Sequence, residues 1–167
     1  MSRRPPWLGR WPSHGGRCHP VPDVMKSSRK QAHWERKAIE IKTATTIAQG
    51  LVRVTGLIQI ILGALFWTGY ALNLVPVHML VGSVLVLSLW TLAFLAARAG
   101  VNRGFILLAA PWGILVPVLG MTQGRILPGD AHWLIQIVHL LVGLIAIGLG
   151  ERLAARIKHA RKPVLQP

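Results

Sequence analysis

Residues 131–150, AHWLIQIVHLLVGLIAIGLG, are the stretch that decides the fold class of this chain. These twenty residues contain no Lys, Arg, Asp or Glu, and a run of this length is sufficient for a helix to cross a lipid bilayer. Gln136 and His139 lie inside the run, where a polar side chain requires a structural or functional reason. The stretch therefore predicts a transmembrane helix with two polar side chains that need partners.

The composition of the whole chain also indicates a membrane protein. Of its 167 residues, 52% are hydrophobic and 14% are charged, whereas soluble domains contain about 25% charged residues. The length predicts a single domain. The five acidic residues all lie outside the long apolar runs, and the single cysteine, Cys18, can form neither an intramolecular disulfide nor a CxxC metal site.

Four apolar segments predict an all-α, polytopic membrane protein, an up-and-down bundle of four transmembrane helices. The predicted spans are residues 54–72, 77–97, 104–122 and 131–150. Pro76 suits the first turn of the second helix. Pro111 and Pro117 lie inside the third span and are expected to bend or break that helix, which packing against neighbouring helices makes tolerable in a membrane.

The segments outside the four spans are rich in basic residues. Residues 1–26 contain five prolines and no periodic apolar pattern, which predicts a disordered basic tail, and Met25 is the expected alternative start of the native protein. Residues 27–53 predict a juxtamembrane amphipathic helix, or equally a solvated continuation of the first span. Residues 151–167 predict a second basic tail.

The distribution of positive charge predicts the orientation in the membrane. Eleven of the nineteen basic residues lie up to Arg53, two lie in the loop between spans two and three, and five follow the fourth span. Arg125 stands alone on the opposite side. By the positive-inside rule both termini face the cytoplasm, in a multi-pass protein of the plasma (inner) membrane.

This orientation also accounts for the net charge of +14, so nucleic acid is not expected as a partner. The expected partners are the lipid bilayer and other membrane subunits or further copies of this chain.

Two histidines carry the clearest functional pattern. The string VHLLVG at 138–143 repeats VHMLVG at 77–82 with five of six residues identical. His78 and His139 fall on spans two and four, which run in the same direction and lie diagonally across an up-and-down bundle. Gly82 and Gly143, four residues after the histidines, lie on the same helix faces and are expected to leave a flat surface beside each imidazole.

On these residues the chain resembles the four-helix, bis-histidine b-type haem membrane cytochromes. The resemblance implies that haem b binds between helices two and four for single-electron transfer, with His78 and His139 as axial ligands of the iron. His132 and Arg125, near the rim, would then meet the haem propionates. Because His139 lies deeper in its span than His78, shared ligation requires the second hairpin to project further than the first.

Two other interpretations of the polar residues stay open. The histidines could serve only packing or hydrogen bonding in an accessory membrane subunit, or Gln59, His78 and His139 could bind a quinone or a small solute. The sequence contains no glycine-rich phosphate loop after a strand, no HExxH motif and no pair of intramembrane carboxylates. We therefore expect no independent catalytic activity.

Overall fold

The computed structural model describes residues 23–160, with side chains from residue 27 onward. Within this range the backbone forms four α-helices and no strand: α1 (Asp23–Trp67), α2 (Val75–Arg98), α3 (Arg103–Thr122) and α4 (His132–Ala160). Short 3-10 turns, Leu72–Leu74 and Gln123–Arg125, lie in the first and third connections. The predictions made for residues 1–22 and 161–167 concern parts of the chain outside the described residues.

The chain divides into two compact units, residues 1–36 and residues 37–167. In the first unit, the structure describes only the beginning of α1, where the rings of His33 and Trp34 meet edge to face with centroids 6.1 Å apart. The second unit contains the rest of α1 and the other three helices.

All four helices are long and apolar enough to cross a membrane, which confirms the all-α, four-span prediction. The 20 residues of α3 give a length of about 30 Å, close to the thickness of a bilayer core. The predicted juxtamembrane segment and first span belong to one helix, α1. The fourth helix continues beyond residue 150 to Ala160.

The third helix is continuous through both of its prolines, so neither breaks it. Each proline lacks the N–H that would continue the helical hydrogen bonds. Two tryptophan side chains tie this helix to its neighbours: Trp90 on α2 donates its indole N–H to the carbonyl of Ala110 at 3.2 Å, and Trp112 on α3 donates to the carbonyl of Val142 on α4 at 2.9 Å. These contacts hold α3 against both α2 and α4.

The connection between α2 and α3 is a tight turn. Gly100 has φ +72°, in the left-handed region that favours glycine. The Asn102 side chain caps α3 by accepting a hydrogen bond from the Gly104 amide at 2.8 Å. Pro76 lies in the first turn of α2, where its missing N–H costs nothing, as predicted.

One end of the bundle is densely packed, and we call it the basic end because Arg98, Arg103 and Lys158 lie there. Leu92 and Leu153 are completely buried. Gly150 allows α4 to approach α1 closely, since a Cβ at that position would lie 3.1 Å from Val52 Cγ1. Efficient packing at this end fixes the relative positions of the helices.

The opposite end, which we call the histidine end, is packed less densely. Buried residues on α2 begin only at Leu85, and no residue of α4 between Ile135 and Ala146 is buried. This is the end that carries His78 and His139. The difference in packing leaves space between the helices beside the two histidines.

Candidate functional site between two histidines

The imidazole rings of His78 and His139 lie close together at the histidine end. Their centroids are 6.4 Å apart and their planes make an angle of 51°. His78 is the fourth residue of α2, whereas His139 is the eighth residue of α4. The rings meet because α4 extends outward beyond His139 by four more residues than α2 extends beyond His78. The second hairpin is therefore staggered outward, as shared ligation requires.

A cavity of about 220 Å³ adjoins both rings and is lined by residues from all four helices. Its polar lining consists of two imidazoles and three glutamine side chains, and its remaining lining is apolar or aromatic. The lining residues are Gln59, Ile60, Gly63, Ala64, Phe66, Trp67, His78, Leu85, Val116, Gln123, Gln136, His139, Leu140, Gly143, Leu144 and Ile147. A few polar groups converging in an apolar cavity are typical of a ligand-binding site.

Three polar side-chain atoms that belong to cavity-lining residues are buried without a hydrogen-bond partner. They are Gln59 Oε1, His78 Nδ1 and His139 Nδ1, and no other buried side-chain nitrogen or oxygen among the described residues is in this state. Each such atom typically costs about 1–3 kcal/mol in stability. These three atoms make the histidine end the region of the described residues where buried polar groups lack partners.

Different residues pack against the imidazole rings of His78 and His139. The edge of the Phe66 ring meets the His78 ring with centroids 5.3 Å apart. His139 lies against the backbone of Gly120 on α3, since a Cβ at that position would be 3.1 Å from His139 Cε1. A larger residue at position 120 would force the imidazole to move.

The two glycines of the repeated string have different surroundings. A Cβ at Gly143 would meet nothing within 4 Å, and Gly143 lines the cavity as expected. The face of Gly82 is instead covered by Gln59, whose Nε2 would lie 2.6 Å from a Cβ there. The flat open surface expected at Gly82 is therefore occupied by an amide from α1.

Besides Gly82, two further predicted site residues do not line the cavity. Arg125 is exposed in the 3-10 turn after α3, and His132 is the first residue of α4, beyond the rim. Phe66, Gly120 and Gln123, by contrast, contact the histidines or the cavity although the sequence did not single them out for this role. The GxxxG spacing around Gly120 indicates close packing, but it does not show which helix approaches.

The chemistry of the donor set limits what can bind. No group of three or more His, Cys, Asp or Glu residues that could hold a metal ion is found in residues 23–160. Two imidazoles are too few for a closed zinc site, which needs four ligands. They are sufficient for a metal that brings its other ligands in a macrocycle.

Comparison with known proteins adds no assignment: no protein-family model, no curated protein and no solved structure matches this chain.

Proposed function

We propose that this integral membrane protein binds haem b between His78 and His139 and passes single electrons across or along the membrane. In this proposal both termini face the cytoplasm, since eighteen of the nineteen basic residues lie on one side of the predicted spans. The electrons would come from and go to partner membrane subunits or soluble carriers. The chain itself would catalyse no separate reaction.

The observation that carries the proposal is the separation of the two imidazoles. A metal ion bound by one nitrogen of each ring lies about 2 Å from each nitrogen, and each nitrogen lies about 1 Å from its ring centre, so the centroids should be about 6 Å apart. The centroids of His78 and His139 are 6.4 Å apart. The separation of the two rings therefore supports a metal ion shared between them.

The roles of the protein residues follow from the cavity. His78 and His139, as neutral imidazoles, would hold the iron from its two sides. When bound, haem supplies a one-electron couple of the iron. Leu85, Val116 and Ile147 line the cavity and exclude water from the imidazoles.

Haem also requires more space than the cavity now provides. At about 220 Å³ the cavity is smaller than the usual ligand pocket of about 300–1,000 Å³. The proposal therefore requires the Gln59 side chain to leave the face of Gly82, which would extend the space beside His78. Gln59 Oε1 has no hydrogen bond to lose when the side chain moves away.

Spectroscopy of the purified protein tests the proposal. Full-length protein produced in haem-supplied cells should show a reduced-minus-oxidised haem spectrum of the six-coordinate, low-spin type. His78→Ala and His139→Ala should each abolish that low-spin spectrum, since each removes one axial ligand. His132→Ala is the matched control on the same helix as His139 and should leave the spectrum unchanged.

Two results would overturn the proposal. Colourless protein from haem-supplied cells would show that the imidazoles do not bind haem. A low-spin spectrum that persists in both His78→Ala and His139→Ala would place the haem elsewhere.

A second candidate function is the binding of a small polar molecule, such as a quinone head group, by Gln59, His78 and His139. The size of the cavity favours this alternative, because a single small ring fits within about 220 Å³ without movement of Gln59. A colourless wild type that gains thermal stability with a soluble quinone, and loses that gain in Gln59→Leu, would support it over haem.

A further inference from the structure

A second cavity, of about 250 Å³, lies at the basic end of the bundle between α1 and α4. It is lined by Lys42, Thr45, Thr46, Ile157 and Lys158. None of these residues lines the histidine cavity. Any ligand here is therefore independent of the proposed haem.

Neither lysine of this cavity forms a salt bridge with a described residue. Lys42 is exposed and makes no ion pair with a described residue. Lys158 donates from Nζ to the Oε1 atom of Gln49 at 2.6 Å, a neutral acceptor that leaves two of its three N–H groups free.

Glu151 interacts electrostatically with Lys158, but its salt bridge is with Arg53. Glu151 accepts hydrogen bonds from Arg53 Nε at 2.7 Å and Arg53 Nη2 at 2.9 Å, and from Gln49 Nε2 at 2.6 Å. Glu40 is two residues from Lys42 on α1, so the two side chains do not face each other. The cavity therefore presents two ammonium groups without a carboxylate between them.

The polar network also holds the walls of the cavity in place. Gln49 is buried and links Lys158 to Glu151, so it joins α1 to α4 beside the cavity. Thr45 and Thr46 use their hydroxyl hydrogens within α1, donating to the carbonyls of Ile41 and Lys42. The two lysines are therefore the groups that can donate hydrogen bonds to a ligand.

We propose that this cavity binds a phosphate-bearing anion, with Lys42 and Lys158 as its ligands. Lysine ammonium groups are common point-charge ligands of phosphate, and basic pockets between transmembrane helices are suited to the head groups of anionic lipids. The cavity lies where the apolar parts of α1 and α4 give way to basic sequence. A lipid head group and free phosphate share this chemistry and are separated by experiment.

The test is a thermal-shift titration of the full-length protein in a non-ionic detergent. Phosphatidylglycerol, phosphatidylcholine and inorganic phosphate are added in separate titrations, and an apparent Kd is taken from each rise in Tm. Phosphatidylglycerol should stabilise the wild type more than phosphatidylcholine does. Lys42→Gln should raise the Kd about fivefold, as expected for one lysine near a lipid phosphate.

The control is Lys30→Gln, which removes the same charge from the same helix at an exposed residue that does not line the cavity. It should leave the Kd unchanged. Lys158→Gln is the second cavity variant and should weaken binding in the same way as Lys42→Gln, so the test survives if one of the two fails to fold.

Each outcome decides the proposal. Weaker binding in Lys42→Gln and Lys158→Gln, but not in Lys30→Gln, supports the proposal. The anion whose binding is weakened in this way, phosphatidylglycerol or inorganic phosphate, identifies the source of the phosphate. Equal losses in Lys42→Gln and Lys30→Gln would overturn it, because binding would then depend on overall charge. The proposal would also be overturned if neither phosphatidylglycerol nor inorganic phosphate stabilised the protein more than phosphatidylcholine does.

Discussion

Replacement of His139 by leucine should raise the unfolding free energy of the haem-free protein. It should also abolish the stabilisation that added haem gives to the wild type. His139 Nδ1 is one of the three buried atoms without a hydrogen-bond partner. Removing such an atom relieves a cost of about 1–3 kcal/mol. Leucine fills similar space with apolar groups, so the net gain in unfolding free energy should be about 1–2 kcal/mol.

This gain can be measured by thermal unfolding of haem-free protein in detergent, followed by tryptophan fluorescence. For a chain of this length, 1 kcal/mol shifts Tm by about 2–4 °C, so His139→Leu should raise Tm by about 2–8 °C. Haem added at 100 times its Kd should stabilise the wild type by about 2.7 kcal/mol through mass action. His139→Leu should show no such stabilisation.

His132→Leu provides the matched control, because His132 lies on the same helix but outside the cavity. Its effect should stay within about 0.5 kcal/mol, as is usual for substitutions away from buried features. A fall in the Tm of haem-free His139→Leu would refute the reasoning. Such a fall would mean that the imidazole makes a stabilising contact and serves a structural role.

Three further predictions concern other parts of the molecule. Gln59→Ala uncovers Gly82 on α2 and should raise the ratio of haem to protein after purification. A lower ratio would mean that the Gln59 amide helps to hold haem. Glu151→Ala leaves the buried Gln49 amide without its acceptor and should cost about 1–3 kcal/mol in an unfolding titration with sodium dodecyl sulfate, whereas a change as small as that of exposed Arg152→Ala would contradict this role. Alkaline phosphatase fused in the loop that contains Asp130 should be active and in the α2–α3 loop inactive; the reverse pattern would invert the proposed topology.

The four helices that are long and apolar enough to span a membrane could be predicted from the sequence, because each depends on a local property. A run of about 20 apolar residues must form a helix in a bilayer, where no water is present to satisfy the backbone. Pro76 at the start of α2 follows from an equally local rule, since its missing N–H is needed only inside a helix. The histidine pair was also visible, because His78 and His139 share a repeated string.

The arrangement of the site required the tertiary structure. The four predicted spans are apolar on most faces, because lipid accepts the same side chains as the protein interior. Their sequences therefore do not show which face of each helix packs against its neighbours. Only the packed bundle shows that Gln59 covers Gly82, that Gly120 backs His139 and that Phe66 meets His78.

The same limit applies to the depth of the two histidines. Counted along their own helices, His78 and His139 lie at different levels, and the sequence alone left open whether they could meet. The outward stagger of the second hairpin brings their rings to 6.4 Å. That stagger depends on how α3 and α4 pack against α1 and α2 at the basic end, an interaction between residues far apart in the chain. The sequence thus determined the four helices and the pair of histidines, whereas only the packing of those helices decided that the pair lines one cavity.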